Sequence, residues 1–193
     1  MPPPKYNPED CGAKCSICPL RSKRSVPPEG PPDPELVIVG EAPGYQEEIK
    51  GRPFIGPSGN FLNDALREIG LKRDRIWITN TLLCRAEVPG MQGKAAFDLP
   101  SYFAWLAKTN KERRKKAAKG ETPDLVASPL ECCKPRLDAE LARADAAAKV
   151  RGDPNGIVVV PMGNFALHAL TGEDGILKWR GSVMQENDKE RAL

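Results

Sequence analysis

Six cysteines carry the first chemical signal in this chain: Cys11, Cys15, Cys18, Cys84, Cys132 and Cys133. The C-x-x-C spacing of Cys15 and Cys18 lets two thiolates reach one metal centre from a tight turn, and "PL" follows to end that turn. Cys84, just past an apolar run, and the adjacent pair Cys132 and Cys133 can complete four sulfur ligands. Tetrahedral zinc and an iron–sulfur cluster both take such Cys₄ sites, and the spacing does not choose between them. Cys11 is left without a partner and reads as a free cysteine.

A second set of residues lies in "VIVGEAPGYQEEIKGRPFIGPSGNFL", residues 37–62. An apolar, β-branched run opens into a loop punctuated by glycine and proline that carries Glu41, Glu47 and Phe54. Carboxylates at such a place can orient a water or stabilise positive charge, and an aromatic face can stack on a flat ligand. Gly40 and Gly44 have no Cβ to obstruct a ligand, and Pro43 fixes the turn. Asn80, which ends "RIWITN", offers a carboxamide able to accept and donate at once.

The elements that must position these groups follow from the pattern. "ELVIVG" (35–40), "RIWITN" (75–80) and "GIVVVP" (156–161) are short continuous apolar runs, as expected of strands buried on both faces of a parallel sheet. Between the first two, "SGNFLNDALREIG" places Phe61, Leu62, Ala65, Leu66 and Ile69 on one helical face, with Ser58 as the cap and Gly70 as the stop. Further helices are expected near 130–149 and 163–171. Strands alternating with helices give an α/β layered fold. In such folds the carboxyl ends of the strands line the ligand crevice, where Gly40 to Gly44 and Asn80 fall.

Bulk composition bounds the reading. With 193 residues the chain suits one core, and no internal repeat is visible. Twenty-nine basic against 26 acidic residues give +3, too weak a balance for a histone-like binder. No run approaches the roughly 18 apolar residues of a membrane span, and "MPPPKYNPED" lacks a signal peptide's apolar region, so a cytoplasmic protein is expected. Disulfides are then not the purpose of the cysteines.

Taken in order, "CSICPL", "VIVGEAPGYQEE", "GRPFIGPSGNFL", "IWITNTLLCR", "CCKPRL", "VVVPMGNFALHALTG" and "LKWRG" cover most of the chain. On these motifs it resembles the family 4 uracil-DNA glycosylases, thermostable-type enzymes with a [4Fe–4S] cluster. The resemblance implies a three-layer α/β sandwich with a short central parallel sheet, a monomer, and uracil-containing DNA as partner. It implies cluster ligation by Cys15, Cys18, Cys84 and Cys133. Cys132 rivals the last, because Cys133 is preferred only through the match to "C-K-P". An enzyme of this kind rotates the base out of the helix into a closed pocket. Gly40, Ala42, Pro43 and Gly44 would approach the base, Phe54 would stack on it and Asn80 would pair with its edge. Glu41 and Glu47 would carry the carboxylate work, since the family has alanine or glycine at Ala42 where other families place an aspartate. His168, the only histidine, falls in a structural helix and is given no chemical role.

Two departures shape the expectations. Family members end with a further strand and helix and a "His-Pro-Ser/Ala" loop whose histidine donates to the leaving base. This sequence ends at "WRGSVMQENDKERAL", before such a motif. Loss of one such donor typically costs on the order of 100- to 1,000-fold in rate. A fragment of a longer protein, or a weakened relative, is expected; the alternative is a catalytically impaired DNA-binding module of a larger replication, repair or phage protein. The second departure is an insertion at about 87–128 within a single domain spanning 1–193. Its run "KTNKERRKKAAKG" holds seven basic residues against one acid. Lys111, Arg113, Arg114, Lys115 and Lys116 are candidate phosphate contacts. A zinc-stabilised nucleic-acid binder is the third reading.

Overall fold

The computed structural model describes residues 6–117, 121–186 and 189–192. The end of the basic run, 118–120, lies outside the described residues.

Strands β1 (Leu36–Gly40), β2 (Ile76–Asn80) and β3 (Val159–Pro161) form a parallel sheet in the order β2-β1-β3. Gly40 pairs with Asn80, and Val39 with Pro161. β1 and the first three residues of β2 are apolar because these strands bury both faces, and β2 ends in the buried polar pair Thr79 and Asn80. Val37, Val39 and Trp77 pack with Leu137, Leu141 and Ala144 of a long helix, 129–151, and with Ala166 and Leu170 of a shorter one, 164–171. Ile38, Ile76 and Ile78 face Leu62 and Leu66 on the opposite side. The alternation of odd and even residues along β1 thus becomes two core layers. Helices on both faces of a short parallel sheet are the expected three-layer α/β architecture.

Between β1 and β2 come α1 (Tyr45–Lys50) and α2 (Pro57–Glu68). Helix α1 sits inside the loop that the sequence showed only as Gly/Pro-punctuated. The expectation for α2 needs two corrections. Its N-cap is Gly56 with Pro57 at the first turn, and no side chain caps it, so Ser58 is not the cap. Pro57 already supplies the required φ, and its missing N–H needs no partner. The buried stripe is Gly59, Leu62 and Leu66 alone. Phe61 (74% exposed), Ala65 and Ile69 (68%) face outward, because a single layer of β-sheet residues covers only a narrow strip of the helix. Gly70, with φ +73, follows the helix end as expected.

After β2 the chain forms α3 (Leu99–Lys116), capped by Asp98, whose carboxylate accepts from Ser101 N at 2.9 Å. Leu99, Tyr102 and Leu106 are buried, and the basic second half projects outward. Helix α4 (Pro129–Arg151) and α5 (Asn164–Thr171) flank β3, matching the helices expected near 130–149 and 163–171. A short α6 (Ile176–Trp179) and the antiparallel pair β4 (Gln185–Glu186) and β5 (Lys189–Ala192) complete the described chain, the pair standing apart from the main sheet.

The outer edge of β2 is covered by the N-terminal segment. Glu29 and Ile78 exchange both backbone bonds (3.0 and 2.7 Å), and Val26 N donates to Leu83 O at 2.7 Å. An open edge beside the cysteines is thereby closed. Among the described residues no helix is long and apolar enough to cross a membrane.

Candidate active site

The carboxyl ends of β1 and β2 open into a cavity of about 650 Å³. Glu41, Ala42, Pro43, Gly44, Glu47, Phe54 and Asn80 all line it, so the structure brings together the residues that the sequence marked around one space. Gly40 stands just beneath. Met162 and Gly163, which follow β3, were not marked and also line the wall. Their position past a third apolar strand was the available signal.

Asn80 is 3% exposed and is fixed through its backbone. The guanidinium of Arg136 on α4 donates to Asn80 O (2.8 Å), Thr81 O (2.9 Å) and Thr79 Oγ1 (3.0 Å), but not to the carboxamide. Arg136 is fully buried and pairs with Glu140, which also receives Tyr6 Oη at 2.5 Å and Trp77 Nε1 at 3.2 Å. Burial first, and then the Glu140 carboxylate, hold the Tyr6 phenol above its ordinary range. Arg136 Nε has no partner among the described residues. Breaking such a buried pair by removing one member typically costs about 3–5 kcal/mol. Sequence reading missed Arg136, which lay unremarked in "CCKPRL".

The glycines act differently from expectation. A Cβ at Gly40 would collide with Asn80 Oδ1 and stand 2.6 Å from the Phe54 ring. The space below Gly40 is thus already taken by the two side chains expected to hold a ligand. A Cβ at Gly44 would lie 2.6 Å from Glu47 Oε2. Missing side-chain atoms here let the wall close on itself.

Each carboxylate is tied by one oxygen. Glu41 Oε1 accepts from Phe165 N (3.0 Å) in the first turn of α5. The α5 N-cap is Gly163 with φ +106, and a Cβ there would press on the Glu41 carboxylate. Glu47 Oε1 accepts from Ile55 N (3.0 Å) and Gly56 N (2.8 Å). Phe54 is the one non-glycine among the described residues with positive φ, at +50. Conformations of this kind cost energy and cluster at functional sites.

A second, smaller cavity of about 120 Å³ is lined by Cys15, Cys18, Cys84, Cys132 and Cys133. Cys15 opens a short 3₁₀ turn in which Cys18 N donates to Cys15 O at 3.1 Å. Lys14 N donates to Cys132 O (2.9 Å), which ties that turn to the first turn of α4, and Ser25 bridges Cys84. Burial, countered by a backbone hydrogen bond and reinforced by the neighbouring thiols, pushes Cys18 up to about 12. Burial and then Cys133 and Cys15 push Cys84 up to about 12, with Arg136 opposing. All six cysteines are free, and Cys11 does not line this cavity. Among the described residues no three His, Cys, Asp or Glu side chains stand close enough to hold a metal ion as placed. The donor chemistry nonetheless fits a thiophilic centre, because five cysteine sulfurs from three parts of the chain line one small cavity and zinc and iron–sulfur centres take cysteine ligands.

The outer candidates lie elsewhere. Lys111, Arg114, Lys115 and Lys116 are exposed on α3, whereas Arg113 also donates to Asp124 O at 2.7 Å and its carboxylate at 3.1 Å. His168 is exposed on α5 with Nδ1 3.4 Å from Asp174.

Parallel strands ending in a glycine-lined wall thus place an aromatic ring, a carboxamide and two carboxylates around one cavity. Residues 27–187 match the Uracil DNA glycosylase superfamily, and the chain belongs to it. It is 47% identical over 73 residues to the Type-4 uracil-DNA glycosylase of Sulfurisphaera tokodaii, a match covering 37% of this chain and 33% of that protein. It is 45% identical over 74 residues to the Type-4 uracil-DNA glycosylase of Thermotoga maritima, covering 37% and 38%. The protein of the same name from Archaeoglobus fulgidus is 45% identical over 73 residues, covering 37% of each. The chain spans about a third of the length of these curated relatives.

Proposed function

We propose that this chain excises uracil from DNA by hydrolysing the N-glycosidic bond. The observation that carries the reading is the convergence of Glu41, Phe54 and Asn80 on one cavity at the ends of β1 and β2. A uracil turned out of the duplex enters with its face against Phe54, a stacking contact that offsets part of the unstacking cost. The Asn80 carboxamide, held by its backbone on Arg136, pairs with the uracil carbonyl and ring N–H, and cytosine presents the opposite pattern. As the C1′–N1 bond breaks, its electron pair leaves with the base. The second oxygens of Glu41 and Glu47 stabilise the positive deoxyribose and orient the water that adds to C1′; its proton passes to a carboxylate and on to the uracil anion, leaving neutral uracil and an abasic site. No covalent enzyme intermediate forms. Gly40, Ala42, Pro43 and Gly44 shape the wall.

Cys15, Cys18, Cys84 and Cys133 would hold a [4Fe–4S] cluster, with Cys132 as the rival ligand and zinc as the alternative metal. The group supplies cross-linking of the N-terminal turn, the end of β2 and α4, and no bond of the substrate changes at it. Lys111, Arg113, Arg114, Lys115 and Lys116 would meet DNA phosphates. The protein would act as a monomeric single domain in the cytoplasm.

The test is strand scission by alkali of a uracil-containing oligonucleotide after incubation with metal-loaded protein, beside an Asn80→Ala control. An abasic site formed by the wild type and not by the control supports excision. Binding without scission supports a DNA-binding module, the reading favoured by the exposed basic end of α3. Iron and sulfide against zinc content decides the metal.

A further inference from the structure

Phe54 sits on a loop, residues 53–56, in which four backbone polar groups are held by side chains from outside it. Two of them, the amides of Ile55 and Gly56, are taken by Glu47. The other two, the carbonyls of Pro53 and Phe54, are taken by Arg73, whose Nη2 donates to Pro53 O (2.7 Å) and Nη1 to Phe54 O (3.2 Å). Arg73 lies in the 3₁₀ turn Arg73–Arg75 immediately before β2, outside the cavity lining. Its remaining contacts hold it in turn: Nη1 donates to Asn63 Oδ1 on α2 at 3.0 Å, and Nε to Glu29 at 3.4 Å. Gly59 of α2 completes the seat, because a Cβ there would overlap the Phe54 carbonyl.

This arrangement resolves a physical difficulty. A phenylalanine at φ +50 relaxes toward negative φ unless its surroundings over-determine it. Relaxation would rotate the ring away from Gly40 and Asn80, and would also turn the Phe54 carbonyl away from Arg73. Guanidinium forks grip two adjacent carbonyls in fixed geometry, which a lysine ammonium does not reproduce.

We infer that Arg73 is a positioning residue that holds Phe54 in its left-handed conformation and so sets the stacking wall of the base cavity. The inference rests on the reading that this cavity takes a uracil base, but the hold on the loop stands apart from that reading. Arg73 acts through Phe54 and touches no substrate.

The experiment compares wild type, Arg73→Met, Arg73→Lys, Phe54→Ala and the Arg73→Met/Phe54→Ala double variant, all as metal-loaded protein. Two readouts are taken: steady-state excision of uracil from a single-stranded oligonucleotide, and hydrogen exchange at the amides of Ile55 and Gly56. Stacking is made in ground and transition states alike, so Arg73→Met should raise KM about tenfold with kcat changed far less. Arg73→Lys should recover little of this, and Arg73→Met should add almost nothing in the Phe54→Ala background. Exchange at both amides should quicken at least tenfold in Arg73→Met. Equal KM effects with and without Phe54, or unchanged exchange with a folded protein, would overturn the inference. Wild type that excises no uracil but shows the exchange change would sink the uracil reading and leave the Arg73 hold in place.

Discussion

The two cavities of this molecule are built on opposite plans. The cavity at the strand ends draws Glu41, Phe54 and Asn80 from a stretch of about forty residues around β1 and β2, all placed by strand ends and one loop. The thiol cavity gathers Cys15 and Cys18, Cys84, and Cys132 and Cys133 from three distant parts of the chain. One is roomy and keeps polar atoms for a ligand. The other is small, and its thiols are raised by burial and by one another. The difference separates two duties. On the proposed function the first would hold a substrate over the sheet, and the second would join segments that the sheet does not join. Arg136 connects them, standing one turn beyond Cys133 on α4 while gripping the carbonyls of Asn80 and Thr81.

That separation can be broken experimentally. The largest effect is expected at Asn80. Asn80→Ala should lower kcat/KM for uracil excision on the order of 100- to 1,000-fold, as loss of one transition-state donor does, while the metal content and the melting temperature hold. A parallel loss of metal would show that the two cavities are one unit. Next, Cys84→Ala should remove most of the bound metal and cost several kcal/mol of stability, read by denaturant titration and iron analysis. Its excision should fall only as far as the unfolded fraction explains. Gly40→Ala comes third. The new methyl would displace Asn80 and Phe54, and a fall in kcat/KM of about tenfold is expected, with ordinary core-strain destabilisation of about 1–3 kcal/mol.

Smaller effects sharpen the picture at the periphery. Replacing Lys111, Arg114, Lys115 and Lys116 with glutamine should reduce the slope of log binding against log salt by about three for single-stranded DNA, if all four reach phosphate. Affinity at high salt should barely change. The smallest expected effect is at Glu29, which supports Arg73. Burial alone would raise its carboxyl, but Arg52 and Arg73 outweigh burial and hold it below the ordinary carboxylate range. A depressed folded value means that Glu29 contributes stability above the unfolded carboxylate pKa of about 4.3, and loses it as pH falls through the folded value. The stability gap between wild type and Glu29→Gln should therefore stay level from pH 7 to about 5 and close below about pH 4. A gap that widened in acid would contradict the ion-pair assignment.

Much of the cavity at the strand ends was legible in the chain. Continuous apolar runs at 35–40 and 75–80 mark strands buried on both faces, the glycine ending β1 marks a turn, and polar residues at strand ends mark a crevice. Helix α2 was legible in extent and misjudged in orientation, because periodicity shows which residues share a face and not how wide a strip the sheet will cover. Phe61 and Ile69 lie outside that strip. The glycines were read as room for a ligand, whereas packing spent that room on Asn80, Phe54 and Glu47.

By itself the sequence determined the local matters: where the three strands of the main sheet and helices α2, α4 and α5 run, that Cys15 and Cys18 share one turn, and that Glu41 follows a buried strand directly. These depend on backbone sterics and on residues within a few positions of one another. Only the folded chain decided that Glu47 would take the amides of Ile55 and Gly56, that Arg73 would hold the carbonyls before them, and that Arg136 would lie buried under Asn80. Such pairings join groups 8 to 56 positions apart. Their partners are fixed by how sheet and helices stack, and no spacing in the sequence records that.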